Sequence, residues 1–127
     1  MLRSCCFIVA ATILVNQTAE AQQSTLTLVC QGTRSSAGEE KADPISTGVV
    51  VDFNTRTVQG LGVGYPVKIV NADDLLIDFY GDDGEKLIAG TIYRLTGKLE
   101  AWNHVILGAS IRTTTYMLKC IPAQRKF

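Results

Sequence analysis

Apolar and polar residues alternate through most of this chain beyond Ser24, and a two-residue period builds strands rather than helices. In the first such run Leu26, Leu28 and Cys30 fall on one face, with Thr25, Thr27 and Val29 on the other. Val49, Val51 and Phe53 repeat the pattern. So do Leu75, Ile77 and Phe79, set against Asp78 and Tyr80, and finally Tyr116, Leu118 and Cys120. Turn residues separate the runs: Asn54-Thr55-Arg56, Asn71-Ala72-Asp73-Asp74, Gly81-Asp82-Asp83-Gly84 and Leu95-Thr96-Gly97. Residues 31–46 are polar and carry Gly32, Gly38 and Pro44, which predicts a long exposed loop. Gly60 to Pro66 reads as a kink between strands, since the glycines lack the strand-to-helix context of a phosphate loop. No stretch beyond Ser24 has a convincing helical period. The count is about eight short strands with regular turn signals, the pattern of an all-β barrel or sandwich. A small antiparallel meander barrel is the expected architecture, with a sandwich as the alternative, because closure removes exposed strand edges.

The first 21 residues read differently. Arg3 precedes an apolar run of 11 residues from Cys5 to Val15, and Ala19-Glu20-Ala21 follows as an A-x-A cleavage site. A bilayer-spanning helix needs about 20 apolar residues. The run is therefore expected to be a cleaved signal peptide, giving a soluble single domain over 22–127 with no membrane span. Cys5 and Cys6 lie too early in the run for lipid attachment. Export, to a periplasm or to the outside, is the expected localisation. Cleavage takes the 12 basic and 12 acidic residues to 11 each, because Arg3 and Glu20 leave together. A neutral domain has no electrostatic reason to bind nucleic acid or an anionic membrane.

Export also changes the meaning of the cysteines. Four become two, Cys30 and Cys120, on inward faces of the first and last strands. In an oxidising compartment one disulfide is the simplest reading, with two free thiols as the alternative.

Three segments carry a resemblance. Leu28-Val29-Cys30-Gln31-Gly32 opens the expected domain, Gly90-Thr91-Ile92-Tyr93-Arg94-Leu95-Thr96-Gly97 lies within it, and Tyr116 to Phe127 closes it. Together they resemble a group of small signal-peptide-bearing exported proteins of alphaproteobacteria with a cysteine near each end and a G-x-I-x-R-x-T-G hairpin. This chain carries Tyr93 where the group favours Asp. The resemblance implies export and a β fold, and carries over no catalytic or binding residue.

Chemistry-bearing residues are few. His104 is the only histidine, so any Ser-His-Asp or Cys-His scheme must use it, and no G-x-S-x-G elbow accompanies it. A strand-end histidine is the simpler reading. Six acids lie between Asp73 and Glu85, without the D-x-D-x-D-G order of a calcium loop. One extended strand would hold Asp73-Asp74 and Asp82-Asp83 roughly 20 Å apart. One histidine and a bridged cysteine pair give poor support for zinc. No metal or cofactor is expected. Tyr65, Tyr80 and Trp102 have either of two roles, core packing or exposure as binding anchors, and with His104 they form the possible binding residues. Phe53, Phe79 and Tyr116 are expected in the core. The functional expectation is a non-enzymatic binding or interaction module with a small ligand or a protein as partner. The alternatives are a hydrolase using His104, or an inhibitor of a lysozyme or protease. A structural envelope protein without a ligand is a further alternative.

Overall fold

The computed structural model describes residues 24–38 and 40–123. The expected signal peptide, 1–21, lies outside the described residues. The chain forms β1 (Thr25–Ser36), β2 (Asp43–Asp52), β3 (Thr57–Gln59), β4 (Val67–Ala72), β5 (Leu76–Asp82), β6 (Lys86–Tyr93), β7 (Lys98–Leu107) and β8 (Ser110–Pro122). Each strand pairs antiparallel with the next, and β8 returns to β1, closing an eight-stranded meander barrel. The barrel expectation holds, and the sandwich does not.

Alternation decides what fills the interior. Leu28, Val49, Val51, Val58, Val67, Ile77, Phe79, Ile88, Leu99 and Leu118 point inward and form one buried cluster. Burying each such side chain contributes about 1.5–3 kcal/mol, offset by the entropy of ordering it. Phe79 and Tyr116 are buried, and Phe53 packs partly buried against the cluster. The outward rows carry Lys68, Asp78, Glu100 and Lys119. An outer wall of that kind, around an apolar interior, reverses the pattern of a lipid-facing barrel.

Side chains lie across both barrel ends, and the lower one stays partly open. At the upper end the segment between β3 and β4 folds inward: Leu61 is buried, and Val63 and Tyr65 pack on the core. The Thr47 hydroxyl donates to the Gly60 carbonyl at 3.0 Å and pins this segment to β2. At the lower end Arg94 crosses the mouth. Its Nη1 donates to the Asp73 carbonyl at 2.7 Å, and its guanidinium lies 5.7 Å from the centre of the Phe53 ring.

The expected loop over 31–46 is corrected. β1 continues to Ser36 and β2 begins at Asp43, so the strands take up most of this stretch, while Gly38, with φ +88°, sits in a turn as expected. Gly32 stands where β8 comes so close that a Cβ would collide with the Met117 carbonyl oxygen. Pro44 stands where β2 lacks a partner on its second side, since β3 pairs only with Val50 to Asp52. Gly32 and Pro44 are thus suited to one crowded position and one free edge.

Candidate functional site

β1 and β8 place Cys30 directly opposite Cys120, with Cα atoms 4.0 Å apart, and the two form a disulfide. The Cys120 N–H donates to the Gly97 carbonyl at 2.7 Å, away from β1. The pair therefore sits at a non-hydrogen-bonded position of the ladder, where facing side chains approach most closely. The hairpin of the resemblance acts on this same spot. Gly97 has φ +77°, and a Cβ there would collide with the Cys120 carbonyl oxygen. Ile92 is core, and Arg94 caps the mouth. In this chain the motif builds the barrel's lower end.

Two of the candidate binding residues share one transverse row on the outer wall. Tyr80 on β5 pairs with Ala89 on β6, Ala89 with Trp102 on β7, and Trp102 with Thr115 on β8. Two strand spacings separate the aromatic residues, roughly 10 Å, with only a methyl group between them. Tyr80 is 43% and Trp102 45% exposed. Exposed Met117 lies one row towards the lower end. His104 is in the next row towards the upper end, opposite Thr113 and Leu87. Beyond the last β6–β7 pair, Lys86 with Val105, the β7–β8 hairpin projects past the rim and exposes Ile106, Leu107 and Ile111. Sequence reading did not single out this apolar tip. Its signal was present in Ile106-Leu107-Gly108-Ala109-Ser110-Ile111, an apolar run around a glycine turn.

Tyr65 does not join them. It belongs to the segment covering the upper end, and its hydroxyl donates to the Lys86 carbonyl at 2.7 Å. Burial, with Asp83 and Asp82 nearby, pushes its pKa up. It is a packing residue.

His104 is half-buried, and its Nδ1 lies 2.8 Å from the Thr113 hydroxyl. The acid in its row, Asp82, is two strands away across Leu87, and its Oδ1 accepts the Gly84 N–H. The side-chain partner that orients His104 is thus a threonine, whereas a triad uses a carboxylate. The other acids serve turns as well. Asp73 accepts the N–H groups of Leu75 and Leu76, and Asp83 those of Glu85 and Lys86. These bonds hold both carboxyls below the usual range, Leu76 and Lys86 contributing most. Asp78 accepts the Thr91 hydroxyl at 2.6 Å. Among the described residues no three His, Cys, Asp or Glu side chains gather as a metal site.

One concavity opens at the lower mouth. It has a volume of about 210 Å³ and is walled by Leu26, Leu28, Ile77 and Ile92, with Arg94 and Pro122 at its rim. Ligand pockets for drug-sized molecules run to about 300–1,000 Å³. Among the described residues no helix is long and apolar enough to cross a membrane. No protein-family model, curated protein or solved structure matches this chain, so its architecture and surface chemistry carry the functional argument.

Proposed function

We propose that this chain is an exported, non-enzymatic interaction module that docks a protein partner on the outer wall of β5–β8 and on the β7–β8 tip. One observation carries the reading. Large apolar side chains that could have filled a core gather instead on one side of the barrel: Tyr80, Trp102 and Met117 on the wall, and beyond the row of His104 and Thr113 the paired Ile106 and Ile111 on the same face of the tip, with exposed Leu107 beside them. Scattered exposed apolar residues need no explanation, but a contiguous patch marks an interaction surface. Trp, Tyr and Met are the residue types enriched at protein interfaces, and Trp and Tyr dominate their hot spots. A sheet wall is broad and shallow, which suits a protein surface better than a small molecule. The cross-strand disulfide and the leader-like segment 1–21 support export.

Trp102 is the only tryptophan, so intrinsic fluorescence reports directly on this face. A Tyr80→Ala/Trp102→Ala variant, immobilised beside the wild type and exposed to extracytoplasmic protein fractions, tests the proposal. The wild type is expected to retain a partner that the variant binds at least tenfold more weakly, with the variant's circular dichroism unchanged. Purified partner is then expected to shift the Trp102 emission of the wild type. Equal retention by both proteins, or a partner that leaves Trp102 emission unmoved, would overturn the assignment. Export is read separately, by amino-terminal sequencing of the processed protein, which is expected to begin at Gln22.

A further inference from the structure

The barrel's lower mouth carries a second site, independent of the outer wall. We infer that the pocket beneath Arg94 binds a small monocarboxylate with a compact apolar body, such as an aromatic or short branched acid.

The walls set the body of the ligand. Leu26 and Leu28 from β1, Ile77 from β5 and Ile92 from β6 offer hydrocarbon, and Cys120 of the disulfide forms part of the inner surface. The volume of about 210 Å³ sets its size. A cavity of about 150 Å³ lined by such residues accepts benzene, so one ring with a short substituent matches the space here.

The rim sets the head group. Arg94 is the charged residue lining the pocket. Its position is defined at three points: its backbone N–H donates to the Leu75 carbonyl at 2.8 Å, its Nη1 to the Asp73 carbonyl, and its guanidinium lies over Phe53. Those partners are neutral. Asp73 on the facing turn feels the guanidinium's charge, but its Oδ1 accepts the Leu75 and Leu76 N–H groups rather than Arg94. Among the described residues Arg94 forms no ion pair with a carboxylate, whereas Arg34 faces Asp43 and Lys98 faces Glu100. A guanidinium has five N–H donors in a fixed fork, and one anchored at Nη1 keeps donors for a carboxylate. An arginine held over a hydrocarbon pocket meets an amphipathic anion at both ends: the ring is desolvated below while the charge stays at the rim.

Benzoate and benzyl alcohol, titrated separately into the full protein, test this. Both have the same ring, and only benzoate has the charge. Methyl resonances of Leu26, Leu28, Ile77 and Ile92 are followed by NMR. Benzoate is expected to shift these methyls saturably and to bind about tenfold more tightly than benzyl alcohol. Arg94→Gln is expected to weaken benzoate about tenfold and to leave benzyl alcohol unchanged, so the two ligands become equal. Leu26→Phe, in the partly buried wall of the pocket, is expected to abolish both while the fold persists. Equal affinity of the two ligands for the wild type would remove the role of Arg94. Shifts confined to Tyr80 and Trp102, or no saturable shift in the four residues, would overturn the site. Arg94→Gln and Leu26→Phe leave the outer wall intact, and Tyr80→Ala/Trp102→Ala leaves this pocket intact, so the two proposals fail separately.

Discussion

Tyr65 shows how one phenol can serve a barrel's end rather than its surface. Its ring lies against Gly81, where even a methyl group would come within 2.7 Å of a ring carbon. Its hydroxyl reaches β6 and donates to the Lys86 carbonyl, tying the β3–β4 segment across the upper mouth. A part-buried bond of this kind contributes about 1 kcal/mol. Tyr65→Phe keeps the ring and removes the bond, so it is expected to lower unfolding stability by that amount in urea at pH 7. Tyr80→Phe, on the outer wall, is expected to change stability by less than about 0.5 kcal/mol. The titration of Tyr65 gives a second readout. Burial and the neighbouring Asp83 and Asp82 raise its pKa in the folded state. A raised pKa means stability that is full below the unfolded value near 10 and is lost as pH rises through the folded value. The wild type is therefore expected to lose more stability than Tyr65→Phe between pH 9 and 11. Parallel alkaline profiles would contradict this role for the hydroxyl.

At the scale of elements, β5 is held at both ends by the same device. Asp73 before it and Asp83 after it each use one carboxylate oxygen to accept two backbone N–H groups, at 2.7 to 2.9 Å. Backbone donation favours the ionised carboxyl and lowers both pKa values. The sign is opposite to that of Tyr65. The contribution is complete above the unfolded carboxyl value near 4 and disappears as pH falls through the lower folded values. Asp73→Asn/Asp83→Asn keeps an acceptor oxygen without a titrating charge. Its thermal midpoint is expected to fall less than that of the wild type between pH 5 and pH 2. Identical acid limbs would show that these turns do not respond to ionisation. Both turns were legible in the sequence, because an Asx turn involves only the next few residues. So were the inward rows of β1, β2, β5 and β8, because alternation is local, with the exception of Leu75, which is exposed in the turn before β5. The upper parts of β1 and β2 were not. Thr33, Ser35 and Ser46 carry no apolar signal, and Arg34 to Ser36 are strand because β8 supplies partners from Thr114 to Tyr116. That pairing spans about 80 positions and leaves no local trace. The grouping of Tyr80 with Trp102 was hidden for the same reason, since it depends on the register of three strands. Where the Tyr65 ring goes was not legible either, because its destination beside Gly81 depends on β5.

Across the whole molecule, closure is uneven. The β1–β8 seam runs from Leu28 to Ser36, while β3 meets β4 only through Thr57 with Lys68 and Val58 with Val67. The short β3 is the place where the barrel opens most easily, since few ladder bonds hold it. The disulfide lies at the opposite kind of seam, between the first and last strands, where separation would release both ends of the chain at once. Cys30 and Cys120 are 90 positions apart. On the chain-entropy model a loop of that length is worth about 4–5 kcal/mol, against a total margin for a small domain of about 5–15 kcal/mol. Cys30→Ala/Cys120→Ala removes the link and also trims two buried side chains at the same point. The variant is expected to lose at least 4 kcal/mol in denaturant unfolding. Amide exchange then separates the covalent effect from general weakening. In the wild type, β3 amides are expected to exchange first and β1–β8 amides only by global unfolding. In the variant, β1–β8 protection is expected to fall towards that of β3, because the chain ends can then fray inward from Thr25 and Pro122. A loss below 1 kcal/mol, with β1–β8 still the most protected seam, would mean that strand pairing alone closes the barrel.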